Sequence, residues 1–338
     1  LQPEDDMPTE TEMRVCVKAP AKINLTFDVT GELPDGYHSI VSIFHAITLE
    51  DMLTVDLHAG IADRLSLEMT VEFVGEPGIF PLDENNLIAK AAQAFDKSTG
   101  ALAKRALTVS VKKQIPIGAG LAGGSSNAAA MLVALNTLFA SPLSQKQLLE
   151  LAITLGADVP FLIAGDTQLG KGKGEILSPV EVLEPMTFVV IKPRQLSIST
   201  PSVFSSYDQW LIERGREWKP LIDHNAVVEA LSCGNLQRAT QGFANVFEPL
   251  VFDSHPRLAL IKERLLELGC WSAQLSGSGP SIFGVVANMD MAHMIRRKLK
   301  EDEARGETAW TRGSAPWQVD CFLAQSAGAG VSIDVEQC

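Results

Sequence analysis

From residue 13 onward apolar and polar side chains alternate, first in "MRVCVKAP" and then in "AKINLTFDVT", which predicts strand through Thr30. A Gly/Pro/Asp turn, "GELPDGYHS", interrupts the pattern, and "IVSIFHAITL" resumes it, so residues 14–50 predict a β-hairpin. Alternation places Lys22, Asn24, Thr26 and Asp28 on one face of the first strand, and Ile23, Leu25, Phe27 and Val29 on the other. Short strands near "DMLTVDLH" and "LSLEMTVEF" carry the pattern to Phe73. The period then changes. "NNLIAKAAQAFDKSTG" has helical spacing and ends on a glycine stop, and "ALTVSVKKQI" returns to strand.

Beyond that strand lies "PIGAGLAGGSSNAAAML", Pro116 to Leu132, followed by strong helices in "SSNAAAMLVALNTLFA" and in "SQKQLLELAITLG", the latter stopping at Gly156. The second half opens with a strand near "MTFVVIKP" and continues through several helical segments to a Ser/Gly turn at Leu275–Pro280. Strand "SIFGVVA", helix "MAHMIRRKLKEDEA" and a last strand "WQVDCFLAQ" close the ordered chain. Strands cluster early and helices are mixed throughout, without the regular βαβ beat of a doubly wound sheet. The pattern predicts an α+β fold.

Composition narrows the classes. The chain has 338 residues, enough for one large or two medium domains with a real core, and is 46% hydrophobic with a net charge of −13. No apolar run reaches a membrane-span length, and no basic stretch offsets the acidity, so neither a membrane nor nucleic acid is expected as a partner. Part of the charge is local: Glu4, Asp5, Asp6, Glu10 and Glu12 precede the first base, and residues 1–13 read as a disordered acidic head. Cys16, Cys233, Cys270, Cys321 and Cys338 are scattered and never in CxxC spacing, which argues for free thiols in a reducing compartment. The histidines show no metal-ligand spacing.

The glycine run raises the chemical question, because glycine is costly at a helix start unless the backbone must approach something closely. Unpaired N–H groups and the positive end of a helix dipole hold phosphate oxygens, and Ser125 and Ser126 could donate hydroxyls or help hold Mg²⁺. The run lacks the lysine of the GxxxxGK[ST] phosphate loop. Taken alone, a flexible strand-to-helix loop capped by serine explains it equally well.

The run is not alone. P-x-G-x-G-L-x-G-G-S-S-N-A-A, "PAKINL" at Pro20–Leu25 and "LSGSGPSIFG" at Leu275–Gly284 resemble, in order and separation, the three motifs of the GHMP kinase superfamily. "GELPDGYHSIVSIFHAI", "LGADVPF", "GKGEIL" and "SISTPSVF" resemble the branch that phosphorylates the 2-hydroxyl of a cytidylated methylerythritol in the non-mevalonate isoprenoid pathway. The resemblance spans residues 14–335 and implies an ATP-binding N-terminal domain over 14–172, like the second domain of ribosomal protein S5. It implies a ferredoxin-like C-terminal domain over 173–338, whose last strand could return to the first.

It also implies roles. Lys22 and Asp158 become the catalytic pair, a fixed cation beside the reacting hydroxyl and the base that takes its proton. Read from its neighbours alone, Asp158 is an N-cap before Val159–Pro160. ATP is expected on Asn86, Leu87, Lys113, Pro116, Ile117, Gly118, Ala119, Gly120, Leu121, Ala122, Gly123, Gly124, Ser125 and Ser126. Asn86 and Leu87 read equally well as a helix cap and a core leucine. The substrate, a small molecule with a cytidine diphosphate group, is expected on Asn24, Tyr37, His38, Thr200 and Phe204. Tyr37 and Phe204 would sandwich the cytosine and His38 bond its edge, although one aromatic at a strand start is usually packing and a core phenylalanine is common. Cofactors would be ATP and Mg²⁺, with no acidic residue assignable as a metal ligand. Such an enzyme is cytoplasmic in a bacterium and stromal in a plastid, and the sequence leaves its oligomeric state open. Val246 stands where the branch usually has Asp, so "FANVFEPL" is left out of the site, and Asp166 and Gln168 replace small residues in their turn. Two other functions stay open, a homoserine- or mevalonate-type GHMP kinase and a non-catalytic nucleotide-binding paralogue.

Overall fold

The computed structural model describes residues 12–60, 65–75, 77–215, 217–305 and 318–334. The acidic head up to residue 11 and Cys338 lie outside the described residues. At the head's end Glu12 pairs with Arg105, and Met13 already begins the first strand.

In chain order the elements are β1 (Met13–Glu32), β2 (His38–Ala59), β3 (Ser66–Phe73), α1 (Leu87–Thr99), β4 (Arg105–Lys113), α2 (Gly123–Leu138), α3 (Gln145–Ile153) and α4 (Val159–Ala164). Then come β5 (Thr167–Lys171), β6 (Ile176–Pro179), β7 (Thr187–Pro193), α5 (Thr200–Glu213), α6 (His224–Ser232), α7 (Leu236–Gln241) and β8 (Ala244–Asn245). The chain continues with α8 (Glu248–Ser254), α9 (Pro256–Glu267), β9 (Ser272–Leu275), β10 (Ile282–Val286), α10 (Met289–Arg305), β11 (Val319–Gln325) and β12 (Ser332–Ile333). The fold is α+β.

The first sheet runs β12-β1-β2-β4-β3, with β5 and β6 continuing from β2 and β8 pairing β1. The second has order β11-β7-β10-β9, every neighbour antiparallel, in a β-helices-β-β-α-β succession that is the ferredoxin-like arrangement. The expected division between residues 172 and 173 falls in the turn of the β5–β6 hairpin, both of whose strands belong to the first sheet. β11 stays in the second sheet, while β12, beyond the last strand read from the sequence, pairs β1 in the first.

The segment expected as two strands around residues 40 and 55 is one continuous β2, paired with β1 from Met13–Leu57 to Glu32–His38. Its length comes at the cost of three register shifts, one of which leaves Leu25 without an opposite partner. An extra residue re-aims the side chains that follow it. The expected uniform face therefore breaks: Ile23 and Leu25 pack with Phe188 and Phe283 of the second sheet, whereas Phe27 and Val29 join the other core with Tyr207 and Phe247. Phe27, rather than Thr26 or Asp28, follows Lys22 and Asn24 along the cleft. Thr26 turns to His224 (2.9 Å), and Asp28 accepts from the backbone amides of Leu221 and Ile222.

Helices α1 and α2 cover the first sheet. Ile88, Ala91, Ala92 and Phe95 lie at helical spacing on the buried face of α1. Asn86 caps its start through Ile88 N–H, and Gly100 ends it with a left-handed φ of 67°. α2 is buried nearly all round, and its Ala128–Ala130 run lets it lie close to the strands. α3 begins with a reciprocal Ser144–Gln147 capping box and ends at Ile153, before the glycine expected to stop it.

His45 ties the sheets together, its Nδ1 at 2.7 Å from Thr167 Oγ1 and its Nε2 at 2.9 Å from Ser326 Oγ. Burial pushes His45 down from 6.5 to about 3. Between those values the unfolded chain binds a proton that the folded chain refuses, so stability rises with pH across that window. Urea unfolding should show a lower midpoint at pH about 4.5 than at about 7, and His45→Asn should shrink the difference. An undiminished difference in the variant would assign the acid sensitivity to other groups.

Candidate active site

A cleft of about 1250 Å³ runs along the junction of β1, the glycine-rich loop, α4 and α5. Every residue expected to bind ATP or substrate borders it, as do Lys22 and Asp158, with one exception. Ser126 is fully buried and donates its hydroxyl to the Pro20 carbonyl at 2.7 Å, which locks α2 onto β1 instead of facing a ligand. Ser125 borders the cleft.

α2 starts at Gly123, two residues before the serine expected to open it. Its N-cap is Ala122, held at a left-handed φ of 56° with no side-chain cap bond. The first amides of a long helix are therefore left to whatever enters the cleft. The loop before it is shaped from outside. A Cβ on Gly120 (φ 75°) would lie 2.4 Å from the Ser276 carbonyl oxygen, and Ser276 Oγ donates to the Gly120 carbonyl at 3.1 Å. Asn245 holds that second turn in place by donating to the carbonyls of Leu275 (2.8 Å) and Gly277 (2.7 Å), and Glu248 accepts from Leu275 N–H. The "FANVFEPL" segment, left out of the site on its sequence, thus supports the loop although Val246 replaces the usual Asp.

Lys22 is buried and donates to Asn24 Oδ1 at 2.7 Å, while Asn24 Nδ2 donates to Ser42 Oγ at 2.8 Å. Burial pulls the Lys22 ammonium below its ordinary value, and the charge of Asp158 works against that shift. Asp158 stands at the N-cap position of α4 in helical conformation (φ −81°, ψ −19°) and makes no side-chain cap bond. Its carboxylate is available to the cleft.

Asn86 spends its Oδ1 on the α1 cap and donates its Nδ2 to the Pro81 carbonyl at 2.6 Å. Lys113 is held by buried Asp51. Around them Ile79, Phe80 and Ile153 add an apolar wall that sequence reading did not pick out, Ile79 being 90% exposed.

At the other end Tyr37 is 62% exposed, which is no packing aromatic, and Lys173 Nζ sits 3.8 Å from its ring centroid while pairing with Asp35 at 2.6 Å. Phe204 stacks on His38 (centroids 4.7 Å, 26°) and meets Phe247 at right angles (4.9 Å), so His38 covers part of the surface expected for cytosine. His38 Nε2 is 2.8 Å from Asp208 Oδ1. Asp208 lies one helical turn after Phe204, a spacing visible in the sequence once α5 is recognised. Thr200 Oγ1 pairs with Ser278 Oγ at 2.8 Å, joining α5 to the turn that supports the glycine loop.

Residues 86–166 match the GHMP kinases N terminal domain and residues 227–305 the GHMP kinases C terminal model. A 4-diphosphocytidyl-2-C-methyl-D-erythritol kinase of Alkaliphilus metalliredigens is 37% identical over 85% of this chain and 92% of its own length. One of Bacillus cytotoxicus is 36% identical over 85% and 93%. The chain belongs to the 4-diphosphocytidyl-2-C-methyl-D-erythritol kinase family. A crystal structure of 4-(cytidine 5'-diphospho)-2C-methyl-D-erythritol kinase matches with a TM-score of 0.69 at 29% identity, covering 94% of this chain and all of that one. A mevalonate kinase from L. major reaches 0.71 at only 16% identity and shares the fold. No helix among the described residues is long and apolar enough to cross a membrane.

The glycine loop makes unequal demands on its glycines. Gly120→Ala should lower the melting temperature and ATP affinity together, because its Cβ meets backbone on a left-handed residue. Gly124→Ala should leave stability nearly unchanged, since its Cβ meets only Leu87 Cδ1 at 3.6 Å. Melting curves of both variants check this; equal behaviour would show that the Ser276 turn does not shape the loop.

Proposed function

We infer that the chain transfers the γ-phosphoryl group of ATP to the 2-hydroxyl of 4-diphosphocytidyl-2-C-methyl-D-erythritol, an isoprenoid-precursor step. What carries the reading is the juxtaposition of a buried lysine, an uncapping carboxylate and an uncapped helix start in one cleft.

ATP lies with its phosphates on the amides of Gly123–Ser125 and its base against the Ile79–Phe80 and Ile153 side, with Leu87 beneath. The acceptor's cytosine takes the open face of Tyr37, opposite the Lys173 ammonium, with His38 and Phe204 bordering it. The 2-hydroxyl then reaches Lys22 and Asp158. Asp158 takes the hydroxyl proton as the oxygen attacks phosphorus, and Lys22, steadied by Asn24, favours the charge growing on that oxygen. Because phosphoryl transfer involves little covalent work by the protein, alignment of the two substrates supplies most of the rate.

Mg²⁺ enters as the partner of ATP. Among the described residues no group of three or more His, Cys, Asp and Glu gathers as a metal cage; the ion would be held mainly by phosphate oxygens and water. Ser125 and Asp158 are among the cleft oxygens that would complete its shell, and the ion would offset phosphate charge. We place the division of the chain after Pro179, with the nucleotide on the first part and Thr200 and Phe204 reaching the acceptor from the second.

A second reading, a mevalonate- or homoserine-type kinase, leaves the exposed Tyr37 and its Lys173 without a purpose, since neither alcohol carries a base. ATP turnover with the cytidylated alcohol, mevalonate and homoserine decides between them. Asp158→Asn should then cut turnover of the preferred alcohol by about 10²-fold or more while ATP affinity changes only a few-fold. Near-normal turnover in that variant would remove Asp158 from the mechanism.

A further inference from the structure

One buried carboxylate outside the residues assigned so far touches both ends of the glycine-rich loop. Asp51, on β2, has no exposed surface. Its Oδ1 accepts from the backbone amides of Gln114 (2.7 Å) and Ile115 (2.8 Å), where the chain leaves β4 for the loop. Its Oδ2 accepts from Asn127 Nδ2 at 2.9 Å, where the chain has left the loop for α2, and from the Lys113 ammonium. Four donors converge on one carboxylate. The charge is matched locally: burial pulls the Lys113 ammonium down and Asp51 opposes that pull.

The loop between these anchors has little shape of its own. Gly118, Gly120 and Ala122 all sit at positive φ, and glycine loses more freedom than any other residue on being fixed. Where its ends lie relative to each other therefore decides where the first amides of α2 point. Lys113 Nζ also lies 2.9 Å from where a Cβ on Gly123 would be, directly behind the residue that opens the helix. We propose that Asp51 is the positioning residue of the nucleotide loop, clamping its entry and exit to one point so that the α2 amides meet the phosphates of ATP in register. This rests on the reading that the loop binds ATP. It also gives Lys113 a different task from the one its sequence position implies: bound to Asp51, it props the helix start instead of reaching the nucleotide as a free cation.

The test is ATP affinity by calorimetry on the full chain with the acceptor left out, so a wrong acceptor assignment would not alter the result. In Asp51→Asn the remaining carbonyl oxygen still accepts from Gln114 and Ile115, but the new amide hydrogens face the donors of Lys113 and Asn127. The exit arm is lost and the entry arm kept. ATP should bind about tenfold more weakly or worse, the scale of losing a charge-assisted buried hydrogen bond. The acceptor KM should stay within about twofold and kcat at saturating ATP within about threefold, a split that mere loss of folded protein would not give. Should Asp51→Asn fail to fold, Asn127→Leu removes the exit arm alone and should weaken ATP several-fold at an unchanged acceptor KM. Wild-type ATP affinity in whichever of these variants folds, or a loss shared equally by kcat and both KM values, would overturn the proposal.

Discussion

Two turns more than 150 residues apart press against each other at the centre of this molecule, and the cleft exists because they do. Gly120 has no room for a side chain against the Ser276 carbonyl, and Ser281 N–H reaches the Ala119 carbonyl at 3.3 Å. A Cβ on Gly277 would in turn lie 3.3 Å from Asn24 Oδ1 and 3.4 Å from Lys22 Nζ. The β1 motif, the glycine loop and the second-sheet turn therefore meet within a few ångströms. Small residues at each position are what lets backbone take the place of side chain there.

From that meeting point the cleft extends in two directions with different chemistry. One side offers helix amides and an apolar wall, suited to a nucleotide triphosphate. The other offers an exposed tyrosine backed by a cation, suited to a flat base. Lys22 and Asp158 stand between. Lys22 is buried deeply enough for its ammonium to be weakened, and the Asp158 charge is what counters this.

Much of this was legible in the sequence, and the reasons for what was not are physical. Elements closed by local signals read correctly: α1 between the Asn86 cap and Gly100, and the strands around residues 107 and 190. The face of β1 did not, because the extra residue at Leu25 is defined by the register of β2 and not by β1 itself. Ser126 looked like a ligand and is a bolt to Pro20, a contact across 106 positions. Asp51 and Asp208 are single carboxylates in unremarkable surroundings whose partners lie 62 to 76 and 170 residues away. Glycine and lysine patterns announce phosphate chemistry, but Asp51, which holds Lys113 and both ends of the glycine loop, carries no motif.

The central claim is that the Tyr37 end of the cleft exists to bind a base. Steady-state kinetics of Tyr37→Ala, with its melting temperature, tests this most directly. Because the ring is exposed, the account predicts an unchanged melting temperature and an unchanged KM for ATP. The cytidylated acceptor should lose about 1–3 kcal/mol in apparent affinity, the scale of base–aromatic stacking. A variant that melts early yet takes the acceptor as well as the wild type would contradict it.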